Sequence, residues 1–78
     1  MKLTLMRPTG SEILAINWIE VYTNRGSFTV LRGHAPLIAM LAEKQEITME
    51  LKDGTTRLLP INGGFMQVDR ETVTLLLT

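Results

Sequence analysis

A chain of 78 residues supports one domain and leaves no room for a second. Eight Lys and Arg balance eight Asp and Glu, so no basic field exists to gather nucleic acid. There is no cysteine and only one histidine, which excludes disulfides, a Cys/His dyad and any multi-histidine metal site.

A core this small rarely supplies more than roughly 3–5 kcal/mol without a staple or a partner. With 45% hydrophobic residues, some apolar side chains are expected to stay uncovered in the free chain, so the composition leans toward a domain that works docked on something else. No apolar run approaches the ~20 residues that span a bilayer. The start MKLTLMRP carries neither an apolar signal core nor a cleavage site, so a soluble, non-secreted protein with no membrane insertion is expected. The lack of cysteine fits a reducing compartment.

In chain order, Lys2 to Arg7 alternates with Leu3 and Leu5 on one face, the period of a half-buried strand, and Pro8 and Gly10 end it. From Ser11 a second extended segment runs to about Thr23. There Ile19 and Val21 face one way while Trp18, Glu20 and Tyr22 face the other. Ile13, Leu14 and Ile16 do not keep that phase, so the segment requires a bulge or a break near Asn17. Asn24-Arg25-Gly26 closes a turn, and Ser27 to Leu31 forms a short strand.

Leu37 to Ala42 reads as a short buried segment, with strand and a single helical turn both open and Ala and Met favouring helix slightly. Gln45 to Lys52 alternates again into Asp53-Gly54, the strongest hairpin signal in the chain, for which a type I′ turn with positive φ at both positions is expected. The return strand, Thr55 to Ile61, contains Pro60, which cannot donate to a ladder, so the strand is expected to lie at a sheet edge or to be irregular near its end. Asn62-Gly63-Gly64 is a second tight point, an apolar segment with Phe65 and Val68 follows, and Asp69-Arg70-Glu71 turns into a last strand, Thr72 to Thr78. Turn signals at intervals of about eight to twelve residues predict an all-β fold, a small antiparallel β-sandwich of about eight to ten short strands occupying residues 1–78.

The stretch GSFTVLRGHAPL, Gly26 to Leu37, holds most of the functional signal. An apolar alternation runs into Gly33, His34 and Pro36, a rigid corner on a strand, and shaped loops on rigid scaffolds are common binding elements. His34 reads either as a structural residue, its ring nitrogens satisfying backbone groups of the corner, or as a contact to a partner. Trp18, on the outer face with Tyr22, is either packed under a neighbouring loop or an interface anchor. Catalysis finds little support. Ser27, His34 and Asp53 or Asp69 could form a triad in principle, but their spacing does not favour it. The carboxylates are scattered over turns, no phosphate-cradling glycine motif occurs, and no catalytic, cofactor or metal-binding residue is assigned.

Read together, GSFTVLRGHAPL, INGGFMQV (Ile61 to Val68) and VTLLL (Val73 to Leu77) resemble the β-sandwich domain of the epsilon subunits of F-type ATP synthases. In that family the blocks commonly read GELGVLPGHAPL, VSGGFLEV and VTVLAD, and the opening KLTLMRPTG is similar to its usual start. The resemblance spans essentially the whole chain. It implies a non-catalytic rotor subunit at the foot of the central stalk, part of a hetero-oligomeric complex, with the gamma subunit and the c-ring as partners. With no transit peptide before the domain, a bacterial source is expected over an organelle, and with it a peripheral position on the cytoplasmic face of the inner membrane. By position, the family's c-ring contact falls on Ser27 and its gamma contact on His34.

This chain departs from the pattern where Ser27 replaces a frequent acidic residue, Thr29 a glycine and Arg32 a proline. It stops at Thr78, where many relatives continue into a helical hairpin, so coupling without autoinhibition by that route is expected. Partner contact is assigned to Trp18, Ser27, Phe28, Leu31, Arg32, His34 and Pro36. The competing expectation is a stand-alone sandwich that binds a peptide or small ligand.

Overall fold

The alternation of Leu3 and Leu5 becomes strand β1 (Lys2–Arg7) in a computed structural model that describes residues 1–78. The other strands are β2 (Gly10–Thr23), β3 (Gly26–Leu31), β4 (Leu37–Leu41), β5 (Gln45–Leu51), β6 (Thr56–Ile61), β7 (Gly64–Val68) and β8 (Thr72–Leu77), and no helix is present. All of them belong to one hydrogen-bonded path, β4-β7-β8-β1-β2-β5-β6, with β3 on the far part of β2. The path folds over at β2 into two layers. Residues 10–15 of β2 pair with β1, whereas Trp18 to Thr23 pair with β3, and Ile16 and Trp18 to Glu20 with β5.

The fold-over point is Asn17. Ile16 pairs with Leu51 and Trp18 with the next residue back, Glu50, which leaves Asn17 as an extra residue, the bulge that the phase change requires. Its amide donates to Glu50 Oε1 at 2.8 Å and to the Leu51 carbonyl at 3.2 Å, so the irregularity is held from the side chain. The bulge moves the inward phase from Leu14 and Ile16 to Ile19 and Val21, and one strand thereby serves both layers.

Fifteen buried apolar side chains fill the space between the layers, and no polar or charged side chain is buried. Leu3 and Leu5 of β1 lie beside Val73 and Leu75 of β8, facing Ile19, Ile47 and Met49 from the other layer. The seam at β2 carries the polar contacts. Arg57 donates to both oxygens of Glu12 at 3.1 and 3.2 Å, and Arg7 lies 3.7 Å from the same carboxylate. The hydrogen bonds from Arg57 hold the Glu12 carboxyl below its ordinary range and Arg57 above its own.

Several expectations are corrected. β1 and β8 run parallel, since the first and last strands meet side by side after the chain has crossed between layers, so the sandwich is not wholly antiparallel. Leu37–Leu41 is a strand and only its inward face is covered; Ile38 and Met40 are 76% and 61% exposed, because they lie on the outer face of the layer, which nothing covers. The Asp53-Gly54 hairpin is not type I′. Gly54 N–H donates to the Leu51 carbonyl and Leu51 N–H to the Thr55 carbonyl, which makes a three-residue loop with positive φ at Gly54 alone. Asp53 accepts instead from the Thr55 N–H and hydroxyl at 2.9 and 2.7 Å, and those bonds lower its pKa. Lys44, at φ 55°, is a left-handed turn residue that no sequence signal marked. Pro60 lies on β6 at the end of the path, the edge position its missing donor predicts.

Candidate partner-binding surfaces

The corner after β3 is held mainly by its backbone. His34 N–H donates to the Leu31 carbonyl at 3.1 Å, Gly33 takes φ 83°, and Gly33 N–H donates across to the Arg70 carbonyl at 2.9 Å. That last bond ties the corner to the turn between β7 and β8. Arg32 adds a contact to Glu71 at 3.1 Å, with both side chains about 70% exposed, so its share of the stability is small (74% and 69%). His34 Nδ1 lies 2.7 Å from the Ala35 carbonyl, which can only accept, so the hydrogen sits on Nδ1. The half-buried ring thus performs the structural role while its Nε2 forms no bond within the chain.

Other expected contact residues divide into two places. Trp18, half-buried on the outer face of the second layer, stands between Leu31 on β3 and Glu50 on β5, and Leu31 is 57% exposed. Arg32, His34 and Pro36 follow directly, so Trp18, Leu31 and the corner form one neighbourhood. Ser27 is exposed at the other end of β3, paired with Tyr22, roughly 13 Å away at strand spacing. Phe28 points inward, half-buried against the core.

None of the expected contact residues lies on the outer face of the first layer. Met40 on β4, Phe65 on β7, Leu76 on β8 and Met6 on β1 are consecutive partners across four strands, 61%, 48%, 50% and 42% exposed. Ile38 and Ile13 close the two ends of the adjacent row, which carries Gln67, Thr74 and Thr4 between them. Monomeric proteins seldom leave such a continuous apolar row bare. Its signal was available in part, because Met6, Phe65 and Leu76 occupy outward positions of alternating strands where polar residues are the rule. Strand order, which only the fold gives, is what joins them.

No three His, Cys, Asp or Glu side chains approach closely enough to hold a metal ion. Fold and surfaces together define a class: a short-looped β-sandwich with an apolar row across the outer face of one layer, Trp18 and Leu31 among polar residues on the other, and a corner pinned by backbone bonds. The chain belongs to the family described as ATP synthase, Delta/Epsilon chain, beta-sandwich domain, whose model matches residues 2–78.

Individual relatives agree. The chain is 34% identical over 77 residues to the ATP synthase epsilon chain of Bacillus velezensis, covering 97% of this chain and 57% of that one. It is 34% identical over 58 residues to the epsilon chain of Corynebacterium diphtheriae, covering 74% and 47%. A chain in the cryo-EM structure of Euglena gracilis mitochondrial ATP synthase, OSCP/F1/c-ring, superimposes with a TM-score of 0.84 at 30% identity, covering 96% of this chain and 48% of that one. A chain from the Tetrahymena thermophila mitochondrial ATP synthase central stalk and c-ring shares the fold, with a TM-score of 0.82 at 17% identity, covering 100% and 63%. The chain spans about half the length of the curated relatives it matches.

Proposed function

We propose that this chain is the sandwich body of a non-catalytic rotor subunit in a proton- or sodium-driven F-type ATP synthase, coupling the gamma subunit to the c-ring. The observation that carries the reading is the family match over residues 2–78, which embraces every strand. The Euglena neighbour, found in an assembly with F1 and a c-ring, supports it. A bacterial inner membrane, with the subunit peripheral on its cytoplasmic face, fits the bacterial epsilon chains among its relatives; no helix here is long and apolar enough to cross a membrane.

Such a part needs stiffness and two interfaces. Of 45 backbone hydrogen bonds, 35 lie within the strands, and a close-packed core transmits load with little compression. Trp18, Leu31, His34 and Pro36 are proposed to meet gamma, and Ser27, exposed on the turn side of β3, the c-ring. With a neutral hydroxyl at Ser27 where relatives often offer a carboxylate, an ionic contact there becomes a neutral hydrogen bond or is lost. Arg32 brings less new charge to that surface than its sequence position suggests, because Glu71 already neutralises it.

The test is recovery of the intact chain from its native membrane extract, with mass spectrometry of what accompanies it. Co-recovery of gamma with the c-ring and the alpha and beta subunits is expected. A folded, soluble chain that brings down none of them would overturn the reading in favour of a stand-alone binding sandwich.

A further inference from the structure

Strand β4 ends its sheet, and the phase of the ladder fixes which of its backbone groups face outward. Asp69 N–H donates to the Thr72 carbonyl at 2.8 Å and Thr78 N–H to the Gly63 carbonyl at 3.2 Å. Bonded pairs with β8 therefore fall on the odd-numbered residues of β7. On its other side β7 must then bond through Gly64, Met66 and Val68, whose partners on β4 are Leu41, Ala39 and Leu37. Alternation turns the N–H and C=O groups of Ile38 and Met40 away from β7, to the free edge.

That edge is a ladder begun and left open. One residue beyond β4, Ala42 N–H donates to the Tyr22 carbonyl at 2.8 Å; residues 37–41 make no backbone bond outside the pairing with β7. A groove of about 430 Å³ continues from this point between β4 and the β2–β3 hairpin. Phe28, Leu37 and Ala39 give it an apolar floor, and Arg25, which takes part in no ion pair, stands on its rim. No carboxylate lines it. Sheet edges are commonly guarded by proline or charge, as β6 is by Pro60, whereas β4 reads LIAML and has neither.

We infer that the β4 edge receives an extended segment of a protein partner by strand addition. The segment bonds to the backbone of Ile38 and Met40, lays an apolar side chain on Phe28 and brings a carboxylate toward Arg25. This deepens the stalk-subunit reading and rests on it, since the segment is contributed by the stalk subunit against which the sandwich docks.

Amide hydrogen exchange on the intact chain, free and within its native complex, tests the idea. In the free chain the Ile38 and Met40 amides exchange rapidly while those of Ala39 and Leu41 are protected; in the complex Ile38 and Met40 slow by roughly tenfold or more. Incorporation into the complex with Ile38 and Met40 still exchanging freely would overturn strand addition and leave the stalk reading intact. Failure to enter any stalk complex would instead defeat that reading. Protection of the free chain that grows with its own concentration would assign the edge to a second copy and overturn the proposal.

A paired substitution supplies the second arm. Ile38→Pro removes the isoleucine side chain together with an outward N–H, whose loss an edge strand tolerates, whereas Ile38→Ala removes the side chain and keeps the donor, so the pair isolates the N–H. The proline variant, shown to be folded by its thermal melt, is expected to bind the partner about tenfold more weakly than the alanine variant. Equal affinities of the two would refute the backbone pairing.

Discussion

Replacing Gly64 with alanine tests how closely the two strands of the GGF corner approach. Gly64 takes φ 146°, and a methyl group there would lie 2.1 Å from the Leu76 carbonyl oxygen and 3.0 Å from its carbonyl carbon. Carbon and oxygen normally come no closer than about 3.3 Å, so β8 must retreat by roughly 1 Å. The carbonyl that retreats belongs to the bonded Phe65–Leu76 rung. Strain at this φ is worth about 1–3 kcal/mol and loss of the rung a similar amount, so the substitution should cost about 3 kcal/mol or more.

A chain this short holds only ~4–12 kcal/mol in total, and a loss of that size lowers Tm by about 12–24 °C. Urea unfolding followed by Trp18 fluorescence and far-UV circular dichroism measures it. Gly54→Ala is the control, because Gly54 has φ 91° but nothing within 4 Å of an added methyl, leaving only the backbone strain of about 1–2 kcal/mol. Equal losses for the two variants would refute the steric argument.

Three further outcomes are expected. Glu71→Gln, which removes the exposed partner of Arg32, should change stability by less than about 1 kcal/mol, as measured by urea titration, because the Gly33–Arg70 backbone bond holds the corner; a larger loss would show that the ion pair carries it. The lowered pKa values of Glu12 and Asp53 stabilise the fold above their ordinary values of 4.5 and 3.8, and that contribution is lost as pH falls through the lowered ones. Glu12→Gln should therefore flatten the acid limb of a Tm-against-pH curve, and an unchanged slope would count against the Arg57 contact. In a gamma-binding titration Trp18→Ala should cost about 2 kcal/mol and Lys52→Ala almost nothing, while Phe65→Glu reports whether the first layer's outer face also docks. Equal effects at Trp18 and Lys52 would remove Trp18 from the interface.

Much of the fold was legible because strand periodicity is local. Leu3 and Leu5, Ile19 and Val21, Ile47 and Met49 announce inward faces by spacing alone, and the broken phase before Trp18 announces the bulge at Asn17. The type of hairpin at Asp53-Gly54 was not legible. Both loop lengths suit that dipeptide, and the choice follows from the bonds of Leu51 and the side chain of Asp53. LIAML at Leu37 was ambiguous because a short apolar run does not say whether one face or two are covered.

Sequence by itself determined most of the strands, the places of most turns, the family and the rigid corner around His34, since each depends on residues adjacent in the chain or on motifs written contiguously. Tertiary structure alone decided which strands are neighbours. It set β1 parallel to β8, put Glu71 beside Arg32, aligned Met40, Phe65, Leu76 and Met6 into one row, and left β4 at an open edge. Each of these joins residues far apart in the chain, and no local preference encodes the order in which strands pair around a shared core.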